Sequence, residues 1–437
     1  MKKIFFILIL FITDISAQSK NEIIEVKTTV PQQVWSLTEV MYHDVVNPPA
    51  AARFYSYSML TGYEILSQLD ASVISFQKKF KSYPDIKINA SSLVNKELAV
   101  LYGILETGKN IIPSGYLLEV KQQYLLSAFR NIGLAAGVID SSVSFAKAVS
   151  KPIIQYSRSD GYFNLSTKKR YRPFASSANW KPTPPEYMAA IEPYWNTIRT
   201  FFLDSAQQFK PDAPVAFSED SSSDFMKLAR EVYTTGMKLT EEQKLIANFW
   251  DCNPFAVQFQ GHMSIGLKKI SPGGHWMGIT GIVSEQAGVN FQNTMLLHTL
   301  VALTLHDAFI SCWDEKYRSN RIRPETAINR YIDPKWKPLL QTPPFPEYSS
   351  GHSVISTATA EVLTHLLGDK FSFADSTETY IGLPVRQFSS FREAAAEARI
   401  SRLYGGIHFM DAIENGGEEG QRIGDFIIHK LGLKSLK

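Results

Sequence analysis

The segment TMLLHTLVALTLHDAFISCW, residues 294–313, is the most apolar stretch downstream of the N-terminus. Its apolar side chains recur at helical spacing, and His298, His306 and Asp307 interrupt them. Ionisable side chains are costly in the interior of a lipid bilayer, whereas a packed protein interior can provide partners for them. The segment therefore predicts a central core helix rather than a membrane span.

The same helical periodicity recurs along most of the chain, while the alternating pattern of β-strands is scarce. We predict helices over residues 51–68, 95–107, 117–134, 141–158, 225–234, 241–249, 285–312, 352–367, 390–403 and 410–431. Residues 161–214 are rich in Pro, Ser and aromatic side chains and predict a long ordered crossing over the helices. We therefore expect an all-α fold of one or two packed helical bundles with long ordered loops.

The composition is that of an ordinary globular enzyme, and a chain of 437 residues can bury a large core. Its 45 basic and 42 acidic residues give a net charge of +3, which provides no polybasic field for nucleic acid or an anionic membrane.

Cys252 and Cys312 are the only cysteines. In an oxidising compartment they could form one disulfide, and two buried thiols would fit the sequence equally well.

The N-terminus, MKKIFFILILFITDISAQSK, has the pattern of a secretory signal peptide. Two lysines precede an apolar run from Ile4 to Ile12, and small residues ending at Ala17 offer a cleavage site. The apolar run is shorter than the ~20 residues that span a bilayer. We therefore predict export to the periplasm or the medium, with residues 1–17 removed. Residues 18–437 would form one all-helical domain without a membrane span, with its chemistry between residues 313 and 412.

The first of three basic clusters is KYRSNRIRP, residues 316–324. Lys316 and Arg323 are seven residues apart, which places them on one face of a helix and about 10 Å apart by rise. Pro324 biases Arg323 away from helical geometry, so this arginine can turn off the end of the preceding helix. A solvated basic face is the alternative, and it is the interpretation we favour for Arg318 and Arg321.

The second cluster lies in PFPEYSSGHSVISTATAEVL, residues 344–363, where a proline-rich loop leads into an apolar helix. Ser349 or Ser350 can cap this helix. Gly351 lets the backbone approach a ligand closely, and the free amides of the first turn attract an anion. His352 stands at the same end, where it can transfer protons. The alternative is a serine cap with an incidental histidine.

The third cluster is AAAEARISRLYGGIHFMDA, residues 394–412. Arg402 and His408 are six residues apart, about 120° around an unbroken helix. Gly405 and Gly406 lie between them and can break the helix, which would redirect His408. A helix end with a satisfied histidine is the alternative. Together, however, the three clusters supply the cations, the glycine and the histidines that hold a compact oxyanion such as phosphate or vanadate.

The order and spacing of these motifs resemble the signature of the type 2 phosphatidic acid phosphatase and vanadium haloperoxidase superfamily. A Lys is followed after six residues by Arg-Pro, then come Ser-Gly-His and Ser-Arg, with a His after five more residues. The flanking segments look like those of the soluble vanadium-dependent haloperoxidases. These segments are WDEKYRSNRIRP, PFPEY, NFWDCNPF and PGGHWMGIT around Trp250 and His275, and VVNPPAAARFYSYSMLTGYEIL near the N-terminus. The resemblance spans nearly the whole mature chain.

The resemblance implies a role for each matching residue. His408 would be the covalent ligand of vanadate through a ring nitrogen, and His352 would be the acid/base that deprotonates peroxide. Lys316 would in addition polarise a peroxide oxygen. The contacts to the vanadate oxygens would come from Lys316, Arg323, Ser350, Gly351 and Arg402. Arginine suits this task because its planar guanidinium makes paired hydrogen bonds and keeps its charge.

Two positions depart from the family pattern. Ser349 stands where the family often has proline, which is a mild change because serine can cap a helix. The superfamily often places an aspartate four residues after the ligand histidine, and here Ala412 occupies that position with Asp411 one residue earlier. Either Asp411 or a backbone carbonyl could orient the free ring nitrogen of His408.

The implied activity is oxidation of halide by hydrogen peroxide to hypohalous acid at vanadate, without haem. Iodide and bromide are favoured over chloride because they are easier to oxidise, and Trp313 and Phe345 are candidates for the halide pocket wall or for the core. The alternative is a soluble exported acid phosphatase in which His408 forms a phosphohistidine. A binding protein without turnover would not need the proton shuttle His352.

No sequence feature indicates the oligomeric state. A homodimer is compatible with the sequence.

Overall fold

The structure is a computed structural model that describes residues 29–254, 256–260 and 263–436. Its α-helices are α1 (Val30–His43), α2 (Pro48–Leu69), α3 (Lys96–Ile111), α4 (Leu118–Asn131), α5 (Ala136–Arg158), α6 (Asp224–Gly236), α7 (Glu241–Phe249), α8 (Pro272–Gln286), α9 (Phe291–Ser319), α10 (Pro324–Tyr331), α11 (Gly351–Leu367), α12 (Phe391–Tyr404) and α13 (Met410–Leu431). Two short antiparallel hairpins pair β1 (Ala256–Gln260) with β2 (Met263–Leu267) and β3 (Phe373–Asp375) with β4 (Arg386–Phe388). The all-α prediction is confirmed, and the predicted signal peptide lies outside the described residues.

Helix α9 is the core helix that the apolar segment predicts. It is long and apolar enough to cross a membrane, but 94% of its most apolar window is buried inside the protein. It packs against α2, α8 and α11. Its buried Asp307 accepts hydrogen bonds from the three consecutive amides of residues 201–203, at 2.6–3.0 Å. The polar residue within the apolar run therefore anchors another part of the chain to the core.

The predicted start of this helix at residue 285 is wrong. Helix α8 ends at Gln286, and Gly288 adopts a left-handed conformation with φ 62° that breaks the path. The side chain of Asn290 then caps α9 by accepting the amide of Asn293 at 2.9 Å. The apolar pattern continues through this turn, so hydrophobicity alone does not reveal the boundary.

The sequence prediction also omits α1, α8 and α10. In α8 the reason is composition, because four glycines between residues 273 and 281 lower the helix propensity. The neighbouring elements pack closely against these glycines: a Cβ at Gly278 would lie 2.7 Å from Thr377 Cγ2. Close packing and the Ser271 cap therefore outweigh the poor local propensity.

The predicted crossing over residues 161–214 is confirmed. Within it the structure contains only two short 3₁₀ helices, Tyr162–Thr167 and Trp195–Thr197, and otherwise irregular backbone. The crossing is tied to the end of α9, where the amide of Trp180 donates to the Asn320 carbonyl at 2.7 Å. This segment therefore covers the end of the helix that carries Lys316.

Both cysteines are buried free thiols. Cys312 Sγ lies 3.7 Å from the Ser349 carbonyl, whereas Cys252 Sγ lies 3.3 Å from His275 Nδ1. Of the two alternatives in the sequence analysis, the structure has two buried thiols and no disulfide.

Helix α13 packs backbone to backbone against α11 through glycines at four-residue spacing, Gly416, Gly420 and Gly424. A Cβ at Gly420 would lie 2.3 Å from the carbonyl oxygen of Val354, which no side chain could tolerate. The contact brings the start of α11 next to the segment that precedes α13. These two positions carry Ser-Gly-His and His408, so the glycine contact sets the distance between two of the sequence motifs.

We expect Gly420→Ala to lower the free energy of unfolding by about 3 kcal/mol, at the upper end of typical overpacking costs. The cost arises because the added methyl group meets backbone, which cannot move aside as a side chain can. Urea unfolding followed by circular dichroism measures it. Gly137→Ala in α5 is the matched control, since its Cβ would meet nothing within 4 Å and should be neutral or slightly stabilising. Equal effects of the two variants would contradict the packing argument.

Candidate active site

The end of α9 and the start of α10 position the first motif. Lys316 lies in the last turn of α9, and Asn320 ends the helix in a left-handed conformation with φ 53°. Arg323 immediately precedes α10 and has extended backbone, with φ −83° and ψ 152°. The predicted departure of Arg323 from helical geometry before Pro324 is confirmed. Its side chain points toward the His408 segment as a result.

The second and third motifs meet where α11 begins and α12 ends. Ser350 caps α11 by accepting the amide of Ser353 at 3.4 Å, which places His352 in the first turn. Gly406, with φ 74°, follows the end of α12, as the break at this glycine pair predicts. His408 then lies on irregular backbone just before α13.

The ring of His408 is held between a carboxylate and a guanidinium. Its Nδ1 lies 2.8 Å from Oε1 of the buried Glu347, and the same oxygen accepts the backbone amide of Phe409 at 3.0 Å. Its Nε2 lies 3.1 Å from Nη1 of Arg323. A carboxylate cannot donate and a guanidinium cannot accept, so the proton of the neutral ring is on Nδ1. The Nε2 lone pair is therefore directed at positive charge.

Asp411 does not orient His408, because its carboxylate is paired with Arg321. The Nη1 of Arg321 donates to both oxygens of Asp411, at 2.7 and 2.8 Å, and lies 3.4 Å from Glu347 Oε2. The predicted solvated position of Arg321 is wrong, since only 5% of this residue is exposed and it balances two carboxylates. Arg318 is partly exposed and pairs with acidic side chains of its own helix.

Three buried cations near His408 have no carboxylate counter-ion among the described residues. Lys316 Nζ donates to three backbone carbonyls of residues 346–349, at 2.5–3.2 Å. Arg323 and Arg402 likewise donate mainly to backbone carbonyls, at 2.6–2.9 Å. Within the described residues none of the three forms an ion pair, whereas the equally buried Arg53 has a carboxylate oxygen 2.6 Å away. Unpaired buried charge is costly, so this arrangement calls for an anion.

Burial shifts the pKa of each of these groups. It lowers the pKa of Lys316 to about 8 and the pKa values of Arg323 and Arg402 to about 10, because the charged forms lose hydration. Burial also holds the pKa of His408 well below its usual range, and the neighbouring cations lower it further. The imidazole is therefore neutral, as a nitrogen ligand must be.

His352 combines a free ring nitrogen with a neutral charge state. Its Nε2 is buried and has no hydrogen-bond partner among the described residues, while the ring bonds to the backbone carbonyl of Trp250. Burial, followed by the positive charge of Arg402, holds its pKa well below the usual range. A neutral imidazole with an unused Nε2 can accept a proton from a molecule in the adjacent cavity.

The predicted site residues form two layers around this cavity. The cavity wall includes Gly351, His352, Arg402 and His408. The others, Lys316, Arg323 and Ser350, are fully buried behind the wall. Ser350 uses its hydroxyl as the helix cap and donates its amide to the carbonyl of Ala412 at 3.0 Å. The structure thus brings the three motifs together, with only part of the set facing the cavity.

Aromatic side chains form the apolar part of the cavity wall. Phe309, Trp313 and Phe345 all line it, and the rings of Trp313 and Phe345 have centroids 5.0 Å apart. Trp313 is also buried in the core, where its Nε1 donates to the Ile191 carbonyl at 3.2 Å. Trp313 therefore belongs both to the cavity wall and to the core, the two positions that the sequence analysis considers for it.

Sequence reasoning missed the roles of Glu347 and Trp250. Glu347 precedes Ser-Gly-His in an aromatic loop, where it looks like one of several polar residues that could act or not. It is 61 residues from His408, and no spacing rule links the two. Trp250 contributes its backbone carbonyl, which accepts Arg402 Nη2 at 2.6 Å and binds His352. A backbone atom leaves no signal in residue type.

The arrangement fits a tetrahedral oxyanion bound beside a neutral imidazole. His408 offers an unprotonated Nε2, and around it lie three cations that have no counter-ion in the part of the chain that the structure describes. A contact between one such cation and a charged oxygen is worth about 4 kcal/mol at an effective dielectric constant near 20. The unused Nε2 of His352 adds a proton acceptor at the same cavity. Binding and proton transfer can therefore occur side by side.

Comparisons with known proteins identify relatives of this chain. Residues 296–432 match the family described as VCPO second helical-bundle domain. The crystal structure of the first bacterial vanadium-dependent iodoperoxidase is 42% identical in sequence, with a TM-score of 0.87 over 92% of this chain and 96% of that chain. A holo-type bacterial vanadium-dependent chloroperoxidase shares the fold, with 14% identity and a TM-score of 0.65 over 89% of this chain and 93% of that chain. No curated protein matches. The chain belongs to the vanadium-dependent haloperoxidases, a family of peroxidase-type enzymes whose cofactor is vanadate.

Proposed function

We propose that this enzyme oxidises iodide with hydrogen peroxide to hypoiodous acid, at vanadate bound to His408. The observation that carries the proposal is the set of buried cations, Lys316, Arg323 and Arg402, which have carbonyl partners but no carboxylate in the described residues. Vanadate is an anion of the size and charge that such a set would balance. Phosphate would satisfy the same charges, so the assay below distinguishes the two.

The residues that would hold vanadate follow from their positions. His408 would bind through Nε2, because Glu347 keeps the proton on Nδ1. Arg402 on the cavity wall and Arg323 next to Nε2 would balance the oxygen charges, and Lys316 would add positive potential from behind. Ser350 and the Gly351 amide, at the start of α11, are the remaining predicted contacts to the vanadate oxygens. When bound, vanadate supplies a Lewis-acid centre that activates hydrogen peroxide toward halide.

His352 would move the protons of the reaction. Iodide, hydrogen peroxide and one proton give hypoiodous acid and water, so a group at the cavity must accept and release protons. His352 is neutral and its Nε2 is unused, which suits removal of a proton from peroxide.

Iodide is the halide that the cavity favours. Phe309, Trp313 and Phe345 give it an aromatic wall, and iodide loses the least hydration energy of the three halides on entering such a surface. It is also the easiest to oxidise. The relative with 42% identity is described as an iodoperoxidase, which supports the same choice.

The proposal is tested with purified apoprotein given vanadate, hydrogen peroxide and iodide, bromide or chloride in parallel, and separately with an aryl phosphate. We expect oxidation that depends on vanadate, fastest with iodide, and weak phosphatase activity. Fast hydrolysis of the aryl phosphate that vanadate inhibits would instead support the phosphohistidine alternative. Oxidation of bromide or chloride at a higher rate than iodide would refute the halide assignment alone.

We expect Glu347→Gln to weaken vanadate binding by about 10–100-fold, the usual effect of changing a residue that orients a metal ligand. The amide keeps an acceptor for the His408 Nδ1 proton but loses the negative charge that raises the basicity of the ring. Titration of apoprotein with vanadate, followed by activity, gives the affinity. Glu414→Gln, at an exposed position of α13, is the control and should bind vanadate normally. Unchanged affinity in Glu347→Gln would show that orientation does not depend on this charge.

We also propose that the enzyme acts outside the cytoplasm, on the basis of its N-terminal sequence. Cleavage after Ala17 would leave Gln18 as the first residue of the mature chain. Mass spectrometry of the N-terminal peptide, on protein recovered from periplasm and medium, tests this. Recovery of the uncleaved chain from the cytoplasm alone would contradict it.

A further inference from the structure

A second group of ionisable side chains lies beside the active-site cavity and has no role in the chemistry above. Cys252, His275 and Glu378 come from three separate segments: the loop after α7, the first turn of α8 and the loop after β3. All three are buried, and their potential ligand atoms lie within 4.8 Å of one another. We propose that they bind a thiophilic divalent cation, with Zn²⁺ as the best fit, in a structural site.

The distances between the ligand atoms match a tetrahedral zinc site. Cys252 Sγ lies 3.3 Å from His275 Nδ1 and 4.0 Å from Glu378 Oε1, and His275 Nδ1 lies 3.2 Å from the same carboxylate oxygen. Zinc bonds of about 2.0–2.3 Å at tetrahedral angles place such atoms roughly 3.3–3.6 Å apart. A small adjustment of the Cys252–Glu378 distance would therefore accommodate the ion. The mixture of thiolate, imidazole and carboxylate is one that zinc accepts.

The surroundings of His275 fix its Nδ1 as the ligand. Its other nitrogen, Nε2, lies 2.8 Å from Asp375 Oδ2, the carboxylate–histidine arrangement that orients metal-binding imidazoles. Asp375 is itself held by the amide and hydroxyl of Thr377, at 2.9 and 2.6 Å. The imidazole ring stacks on the indole of Trp250, with centroids 4.5 Å apart and planes 13° apart. The ligand position is thus preorganised from two sides.

The charge of the cluster also accommodates a divalent ion. Cys252 would bind the ion as a thiolate and His275 as a neutral imidazole, while Glu378 would contribute a carboxylate oxygen. The thiolate and the carboxylate would together balance the two positive charges of the ion.

The site would brace one wall of the active-site cavity. Cys252 lines the cavity, and the neighbouring Trp250 carbonyl contacts Arg402 and His352. Asp251, the residue between Trp250 and Cys252, forms an ion pair with Lys269 at 2.7 Å and is not part of the cluster. The described residues would provide three of the four ligands of a tetrahedral ion. A small molecule would occupy the fourth coordination position. The ion would hold the loop after α7 against α8 and the loop after β3.

The test is the metal content of full-length, tag-free protein purified without chelators, measured by mass spectrometry of the elements. We expect about one zinc ion per chain. Cys252→Ser and Glu378→Gln should each lower the content at least about tenfold. Cys312→Ser is the matched control, because this buried thiol has no place in the cluster, and it should retain the metal.

A second measurement on the wild-type protein does not depend on whether the variants fold. After removal of metal by a chelator, addition of Co²⁺ should give a thiolate-to-cobalt absorption band and the strong visible bands of a tetrahedral site, and one equivalent of Zn²⁺ should displace the cobalt and abolish these bands. The inference is overturned if the wild-type protein contains no zinc and takes up neither ion in stoichiometric amount. Zinc content in Cys252→Ser equal to that of the wild type would overturn the ligand assignment.

Discussion

Replacing His408 by alanine is expected to abolish both vanadate binding and vanadate-dependent iodide oxidation. The loss should be at least about a thousandfold, beyond the 10–100-fold typical of residues that only support a ligand. The reason is that Glu347 fixes the ring proton on Nδ1, so Nε2 carries the lone pair that would bind vanadate, and alanine removes it. Vanadate binding is measured by titration of apoprotein with vanadium NMR as the readout, and activity by formation of triiodide.

A histidine elsewhere in the fold separates this effect from a general loss of structure. His365 lies in the last turn of α11, where its Nε2 contacts the Leu433 carbonyl at 2.9 Å. His365→Ala should lose some stability and keep its affinity for vanadate. If His408→Ala retained vanadate-dependent activity, the assignment of the ligand would be wrong, and Lys316 and the arginines would need another explanation.

We expect His352→Ala to lower kcat by about 10²–10⁴-fold while leaving the affinity for vanadate within a few-fold of wild type. General acid–base catalysis by a positioned side chain typically contributes this much. The split arises because His352 lines the cavity and its Nε2 is unused within the described residues, whereas the anion would be held by His408 and the cations. Steady-state kinetics with saturating vanadate measures kcat, and a separate titration gives the affinity.

Chemical rescue provides the control for His352. Imidazole added to His352→Ala should restore part of the lost rate, because the cavity left by the side chain opens on the site. It should have no effect on the wild type. A variant that loses vanadate binding and activity to the same degree would show that His352 holds the anion, and an unchanged kcat would show that another group transfers the proton.

Local signals in the sequence predicted several features because their physical causes are local. Pro324 excludes helical geometry at the preceding residue, so Arg323 leaves the helix wherever the chain goes next. Gly406 adopts a positive φ that other residues rarely take, so the break before His408 is also a property of the sequence itself. The apolar run of α9 predicts a buried helix because hydrophobicity, too, is a property of the local sequence.

Other features depend on which distant residues meet, and residue order does not reveal them. Glu347 orients His408 across 61 residues, and Arg321 pairs with Asp411 across 90. Glu347 and His408 lie shortly before α11 and α13, the two helices whose backbones meet closely at Gly420. Helix α8 was missed for a related reason, since its glycines are unfavourable alone and become suitable only against close neighbours.

The sequence by itself determined the helical class, the central core helix and the three motifs whose spacing indicates an oxyanion site. Only the tertiary structure decided which buried charges are paired. Arg321 has a carboxylate within ion-pair distance, whereas Lys316, Arg323 and Arg402 have backbone carbonyls. An ion pair forms when atoms come within about 4 Å, and that distance depends on how helices pack rather than on residue type. Within residues 29–254, 256–260 and 263–436, the same packing leaves three cations without an ion-pair partner around one histidine, and an anion would balance their charge.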